Sequence, residues 1–196
     1  RVVGGHYNMV PELGKLIIAN KLEAYNLPQG TLSQLFRDVA AHKLGTLTHV
    51  GLNTFADPRI EGGKLNSVTT EDIVEVVEVL GQERLLYKAI PVDIAFIRGS
   101  IADENGNVTL EHECCTNEAT SIAQAAKNSG GKVIVQVEKV VQAGSVDPKL
   151  VKIPGVYVDA LVICDSKEDH AQCQGCEYDG SMTGDFRLSL GSLEYP

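Results

Sequence analysis

Apolar and polar residues alternate through Leu22-Glu23-Ala24-Tyr25-Asn26-Leu27, the alternation stops at Pro28-Gln29-Gly30, and Leu32, Leu35, Phe36, Val39 and Ala40 then recur at helical intervals. A period of two sends successive side chains to opposite faces of a strand, and a period near 3.6 gathers them on one face of a helix. The stretch therefore reads as strand, tight turn, helix, with Thr31 or Ser33 expected to cap the helix by accepting one of its free N–H groups. Residues 11–20, opening on Pro11, read as an earlier helix with proline in its first turn. As far as Gly45 the chain is αβα.

Residues 51–66 carry Asp57-Pro58 and Glu61-Gly62-Gly63 and show neither period, which marks a long ordered loop of the kind that holds functional groups. Val74-Glu75-Val76-Val77-Glu78-Val79 and residues 85–90 fit a β-hairpin better than a helix, although Ile73, Val76, Val77 and Leu80 also sit at helical spacing. Asp93-Ile94-Ala95-Phe96-Ile97-Arg98-Gly99 has the apolar run of a strand covered on both faces. A turn at Asp103-Glu104-Asn105-Gly106-Asn107 leads into a short strand, residues 117–129 are helical and end at Gly130-Gly131, and residues 132–137 and 156–164 are strands. From about residue 165 to 196 the pattern becomes irregular. Strands alternating with helices give an α/β fold, an open, largely parallel sheet flanked by helices with antiparallel hairpin additions, and residues 1–196 read as a single domain.

Composition narrows the partners. The 196 residues are 43% hydrophobic and 22% charged, enough apolar material for a large core and too much for a disordered chain. Lys and Arg number 17 against 26 Asp and Glu, a net charge of −9 with no basic stripe, so nucleic acid is not the expected partner. The longest apolar runs stop far short of the roughly 20 residues a membrane span needs, and the chain reads as soluble. Five cysteines are too few and odd for a secreted disulfide scaffold, which points to a reducing, cytoplasmic setting. The sequence starts at Arg1 with neither a leader nor an initiator Met, so the gene product is expected to begin earlier.

The junction Asn26-Leu27-Pro28-Gln29-Gly30-Thr31 is where chemistry is expected, because ligands of open α/β sheets bind beyond the carboxyl ends of the strands. A helix starting there offers free N–H groups and the positive end of its dipole, and Gln29 adds an amide donor suited to a carboxylate or a developing oxyanion.

Beyond this junction, Glu23-Ala24-Tyr25-Asn26-Leu27-Pro28-Gln29-Gly30, Arg37, Gly51-Leu52-Asn53-Thr54-Phe55-Ala56-Asp57-Pro58-Arg59 and Gly62-Gly63-Lys64-Leu65-Asn66 follow one another along the chain. Tyr87-Lys88-Ala89-Ile90, Asp93 to Arg98, Gly130-Gly131-Lys132-Val133-Ile134-Val135-Gln136-Val137 and Ile153-Pro154-Gly155 continue the series. Taken together these motifs resemble the acetate/propionate branch of the class I CoA-transferases, over essentially the whole chain. The resemblance implies a ping-pong enzyme that moves CoA from a short-chain acyl-CoA to a free carboxylate through a glutamyl-CoA thioester. It further implies that this chain is the α-type half, that the nucleophilic Glu lies in a β-type half, fused or separate, and that the assembly is a homo-oligomer. CoA is then substrate, and neither metal nor other cofactor is needed. The family's first strand is expected ahead of Arg1. By motif, Gln29 lies against the glutamyl thioester or the acceptor carboxylate, Gly30 permits close approach, and Asn53, Thr54 and Phe55 line the acyl pocket. Asn53 stands where relatives commonly carry Gly, a place that a left-handed Asn can fill.

Other signals have ordinary readings beside sharper ones. His170-X-X-Cys173-X-X-Cys176 has zinc-like spacing, with Cys114, Cys115 or Cys164 available as a fourth ligand, but reads more simply as a loop with free thiols. A Cys173–Cys176 redox pair lacks its usual strand-to-helix context. His112-Glu113-Cys114-Cys115 is not a nucleophile pair, since adjacent residues do not face each other. Arg59 and Lys64 suit either CoA phosphates or loop salt bridges. Against the enzyme stands a second class of function, a non-catalytic α/β module that senses a metabolite.

Overall fold

The computed structural model describes residues 1–164, 166, 168–172, 177–189 and 191. The chain gathers into two compact units, Arg1–Pro91 and Val92–Pro196.

The first unit opens with β1 (Val2–Gly4), α1 (Pro11–Ile18), β2 (Ala24–Asn26) and α2 (Gln29–Ala40), followed by β3 (Gly45–Thr48), β4 (Val74–Val79) and β5 (Gln82–Lys88). Strands β1 and β2 run parallel, with Val3 opposite Tyr25. Strands β3, β5 and β4 form an antiparallel sheet. The predicted hairpin is β4–β5, turned at Leu80 and Gly81 with φ of 53° and 73°, the left-handed pair that matches strand twist in a two-residue turn. Tyr25, Leu27, Leu35, Val39, Leu85 and Tyr87 fill the interior.

Helix α2 departs from expectation at its start. It begins at Gln29, Pro28 holds the cap position, and no side chain caps it. Thr31 lies inside the first turn and is buried, so neither Thr31 nor Ser33 is the cap.

The second unit contains β6 (Ile94–Arg98), β7 (Ile101–Asp103), β8 (Val108–Thr109), α3 (Ala119–Asn128), β9 (Lys132–Val137), β10 (Lys139–Val141), β11 (Val151–Ile153), β12 (Ala160–Ile163) and a short α4 (Gly180–Thr183). Strands β12, β9 and β6 are parallel neighbours, and β10, β7, β8 and β11 make a mixed sheet. Helix α3 supplies Ala123 and Ala126 to a core with Ala95, Ile97, Val133, Val135 and Val137. Parallel sheets flanked by helices, with antiparallel additions, are the expected architecture.

Two details differ. The strand expected from 156 starts at Ala160, because Gly155–Tyr157 is a 3-10 turn. Strand β6 is also covered on one face only, since Ala95 and Ile97 are buried while Ile94 and Phe96 are 52% and 77% exposed. An apolar run states that burial is possible on both faces, not that a neighbour supplies it.

Candidate functional site

At the carboxyl end of β2, Leu27 is buried and Pro28 turns the backbone, with φ −56° and ψ 125°, into α2. The N–H groups of Thr31 and Leu32 donate to the Pro28 carbonyl at 2.9 and 3.1 Å. Those of Gln29 and Gly30 have no partner among the described residues, as the geometry of a helix start requires when no cap is present. Both residues are exposed. The Gln29 side-chain amide likewise makes no hydrogen bond among the described residues, so an amide and two backbone donors share one accessible helix start.

Two glycines shape this corner. A Cβ on Gly5 would lie 2.4 Å from Gln29 Oε1 and 3.1 Å from its Cα, so the absence of a side chain at Gly5 makes room for Gln29. A Cβ on Gly30 would meet nothing within 4 Å. The sequence signal for the first is the Gly4-Gly5 pair at the end of β1, which periodicity alone does not attach to Gln29.

The loop of residues 51–66 is laced to the same strand end. Gly63 N–H donates to the Phe55 carbonyl (2.8 Å), Asn26 N–H donates to the Gly63 carbonyl (2.7 Å), and Leu65 N–H to that of Ala24 (3.0 Å). Gly63 has φ 74°, and a Cβ there would lie 2.6 Å from Leu27 Cδ2 and 2.8 Å from the Asn26 oxygen. Only glycine meets both demands. Inside the loop the buried Asp57 accepts from the N–H groups of Asn53 (2.9 Å) and Arg59 (3.0 Å) and from the Arg59 guanidinium (2.8 and 3.0 Å). The Arg59 guanidinium holds the Asp57 carboxyl far below the ordinary carboxylate range; burial opposes this, and the backbone donors reinforce it. Asn53 adopts φ 60°, the left-handed conformation its residue type permits. Tyr87 anchors the loop's start by donating to the Val50 carbonyl at 2.8 Å. Burial, aided by the charge of Asp57, pushes its phenol up to about 12, so it stays a donor.

Between the first turn of α2 and β3 lies a cavity of about 260 Å³ whose walls include Gly30, Thr31, Leu47 and Val50. Gln29 stands next in sequence to this lining without belonging to it, and Asn53, Thr54 and Phe55 do not line it either. The Thr54 hydroxyl donates to the Gly51 carbonyl at 2.7 Å, and Phe55 is 44% exposed. Gln29 and Gly30 are thus together, while Asn53 to Phe55 reach them only through the backbone ladder of Gly63 and Asn26. Arg59 bridges Asp57 and Glu83, and Lys64 bonds Asp72 at 2.5 Å. Of their two readings, the geometry is that of loop salt bridges.

The second unit has a larger cavity, about 450 Å³, with His112, Glu138, Cys164, His170 and Tyr178 in its walls. His112 Nδ1 lies 2.9 Å from Glu138, and its ring packs on Tyr178 with centroids 4.7 Å apart. Cys114 faces the Gln172 carbonyl, so His112 and Cys114 do not pair. Among the described residues both ring nitrogens of the buried His170 lack a hydrogen bond, and Nε2 lies 3.9 Å from Glu113. Cys173 and Cys176, named in the zinc and redox readings, lie outside the described residues. Among the described residues no group of three or more His, Cys, Asp or Glu is arranged for a metal, and no helix is long and apolar enough to cross a membrane.

A parallel-stranded α/β chain with an uncapped helix start after a short strand is one form a binding corner takes, and comparison with known proteins says which family built it. A family model described as Coenzyme A transferase matches residues 2–163, and the chain belongs to that family. It is 46% identical over 188 residues to caffeate CoA-transferase of Acetobacterium woodii, covering 96% of this chain and 36% of that protein. It is 44% identical to the crystal structure of an acyl-CoA transferase of Escherichia coli O157:H7, YdiF, in a thioester complex with CoA. That match has a TM-score of 0.89 and covers 95% of this chain and 36% of the other. The alpha subunit of an acetoacetyl-CoA:acetate/butyrate CoA transferase from Clostridium acetobutylicum is 32% identical over 83% of this chain and 66% of the subunit. The chain therefore spans little more than a third of the length of the first two relatives.

Proposed function

We propose that this chain is the α-type portion of a cytoplasmic enzyme that moves CoA between a short-chain acyl-CoA and a free carboxylate. The observation that carries the reading is the exposed, unpartnered amide of Gln29 beside the free N–H groups of an uncapped helix, in a chain of the coenzyme A transferase family.

The chemistry is an exchange at two carbonyls. A Glu carboxylate oxygen attacks the thioester carbon, the C–S bond breaks, and CoA thiolate leaves an acyl-glutamyl anhydride. The thiolate then attacks the glutamyl carbonyl, releasing the acyl group as a carboxylate and leaving a glutamyl-CoA thioester. The acceptor carboxylate reverses the sequence, taking CoA with it. Each attack gathers negative charge on a carbonyl oxygen, and donors already aimed at that charge lower its energy without reorganising. Gln29 and the first N–H groups of α2 fill this role. Gly30 keeps the approach open, and Asn53, Thr54 and Phe55 extend the substrate-facing surface. The nucleophilic Glu is assigned to a β-type half, fused or separate, in a homo-oligomer. The substrates are the acyl-CoA and the carboxylate, with no other cofactor or metal.

The test is a covalent one. The full-length enzyme, given donor acyl-CoA without acceptor, is expected to carry a CoA adduct on one Glu outside residues 1–196, seen by peptide mass spectrometry. Binding of acyl-CoA with no adduct on any Glu would overturn the reading in favour of a metabolite sensor.

A further inference from the structure

We infer that the turn after β1 is a mould for the Gln29 side chain, with Gly5 and Tyr7 as positioning residues that hold its amide in the orientation the reaction uses. This rests on the transferase reading above and adds to it two residues, distant from Gln29 in sequence, that act on the chemistry through it.

Parallel pairing of β1 with β2 brings the turn to the start of α2. Gly4 stands opposite Asn26, and the Leu27 N–H donates to the Gly4 carbonyl at 3.1 Å. Gly5 then meets Gln29 directly: a Cβ at Gly5 would lie 3.0 Å from Gln29 Cβ, 3.1 Å from its Cα and closer still to Oε1. The first two are tight contacts that a small shift relieves, whereas the third falls where the amide now lies. The atom of the amide nearest Gly5 is the oxygen, so the turn takes the acceptor end and leaves the nitrogen, the donor end, for a ligand. A donor is what a developing oxyanion requires.

The turn is itself held by Tyr7. Its hydroxyl donates to the carbonyl of the fully buried Tyr25 at 2.5 Å, and its own carbonyl accepts from the Val10 N–H at 3.0 Å. The phenol packs on Gly4 so closely that a Cβ there would sit 3.2 Å from the hydroxyl oxygen and 3.3 Å from two ring carbons. Burial raises the pKa of this phenol, so the hydroxyl stays a donor. Tyr7 thus fixes the turn to β2, and the turn fixes the amide. A free glutamine side chain samples several staggered rotamers, and a displacement of about 1 Å at a reacting centre can cost about 100-fold in rate. The mould removes those alternatives before substrate arrives.

The experiment is a double-mutant cycle on kcat of the intact enzyme, with propionyl-CoA as donor and acetate as acceptor, in which Gly5→Ala is made with and without the Gln29 amide. Gln29→Ala keeps Cβ and Cα at residue 29, so the backbone contacts of a new Cβ at residue 5 are common to both backgrounds and cancel, and the effect exerted through the amide survives. Gly5→Ala is expected to lower kcat about tenfold or more when Gln29 is present, with KM for the acyl-CoA within about twofold. In the Gln29→Ala background it is expected to change kcat by less than about twofold. Tyr7→Phe removes one hydroxyl and is expected to lower kcat about threefold, an effect that also vanishes in the Gln29→Ala background. Melting temperatures identify a variant that fails to fold, and Tyr7→Phe carries the cycle if Gly5→Ala is one. Equal losses with and without the amide, or no loss from either variant, would overturn the positioning role while leaving the transferase reading intact. Absence of transfer from any acyl-CoA in the wild type would overturn both.

Discussion

At the carboxyl end of β2 the first unit leaves donors without a partner among the described residues, whereas at the carboxyl ends of β6 and β9 the second unit turns Arg98 and Glu138 on its own chain. Arg98, last residue of β6, donates to Glu113 at 2.7 to 3.1 Å and to the carbonyls of Ala171 (2.6 Å) and Gln172 (2.9 Å). Glu138, just past β9, takes His112. Gln29, in the equivalent place after β2, takes nothing among the described residues. The larger cavity is walled by groups only partly occupied within the chain, His112 paired with Glu138 and His170 without a hydrogen bond among the described residues, and the smaller one adjoins the free donors. Volume favours the second unit's cavity, whereas the state of the hydrogen-bonding groups favours the first unit's corner, on which the proposed function rests.

Substitutions can sharpen this contrast, beginning with the buried carboxylate that braces the first unit's loop. Asp57→Ala leaves the N–H of Asn53, the N–H of Arg59 and part of a guanidinium without an acceptor. A loss of about 3 kcal/mol in urea unfolding is expected, at the low end for a broken buried pair because Arg59 is half-exposed. Next are two glycines that differ in their surroundings. Gly63→Ala combines a left-handed φ with contacts under 3 Å and is expected to cost about 2 kcal/mol. Gly30→Ala is expected to raise stability by about 0.5 to 1 kcal/mol, since alanine is the better helix former, while reducing transfer. If Gly30→Ala left transfer untouched, close approach at that residue would be refuted.

The smallest effect is a pH dependence that also separates the units. The Val133 N–H, Lys127 and Lys132 hold Asp159 down at about 2. Its folded pKa is depressed, so its contribution is complete above the unfolded value near 3.9 and is lost as pH falls through about 2. Asp57, held low chiefly by Arg59, keeps its charge into stronger acid. Hydrogen exchange between pH 4 and 2 is expected to show protection falling around Val133 before it falls around Asn53; the reverse order would contradict these assignments.

How far the sequence showed this depends on how far each element's pattern runs beyond the element itself. The switch from a period of two to one of 3.6 located β2, Pro28 and α2, and with them Gln29 and Gly30. Asn53's left-handed backbone followed from the family resemblance, because Asn stands where relatives commonly carry Gly and its type tolerates that conformation. Strands β1 and β3, three and four residues long, lack the longer alternation through residues 22–27 that marks the equally short β2. The cap was misread because Pro28 holds that position and draws Thr31 inside the helix. Nothing local marks Asp57 as a buried hub, since its partners are two backbone N–H groups and a guanidinium set by the loop's path. Leu47 and Val50 look like core residues until the groove beside them is seen. In β6 the apolar run concealed an alternation of burial, because Ile94 and Phe96 are as hydrophobic as the covered Ala95 and Ile97.

The whole account turns on whether the free amide after β2 works on the reacting carbonyl. In the intact enzyme Gln29→Ala should lower kcat by about 100-fold, as the loss of one oxyanion donor does. Its unfolding free energy should stay within about 0.5 kcal/mol of wild type, because the side chain is exposed and bonds nothing in the described fold. A Gln29→Ala enzyme that turns over at the wild-type rate would contradict the claim.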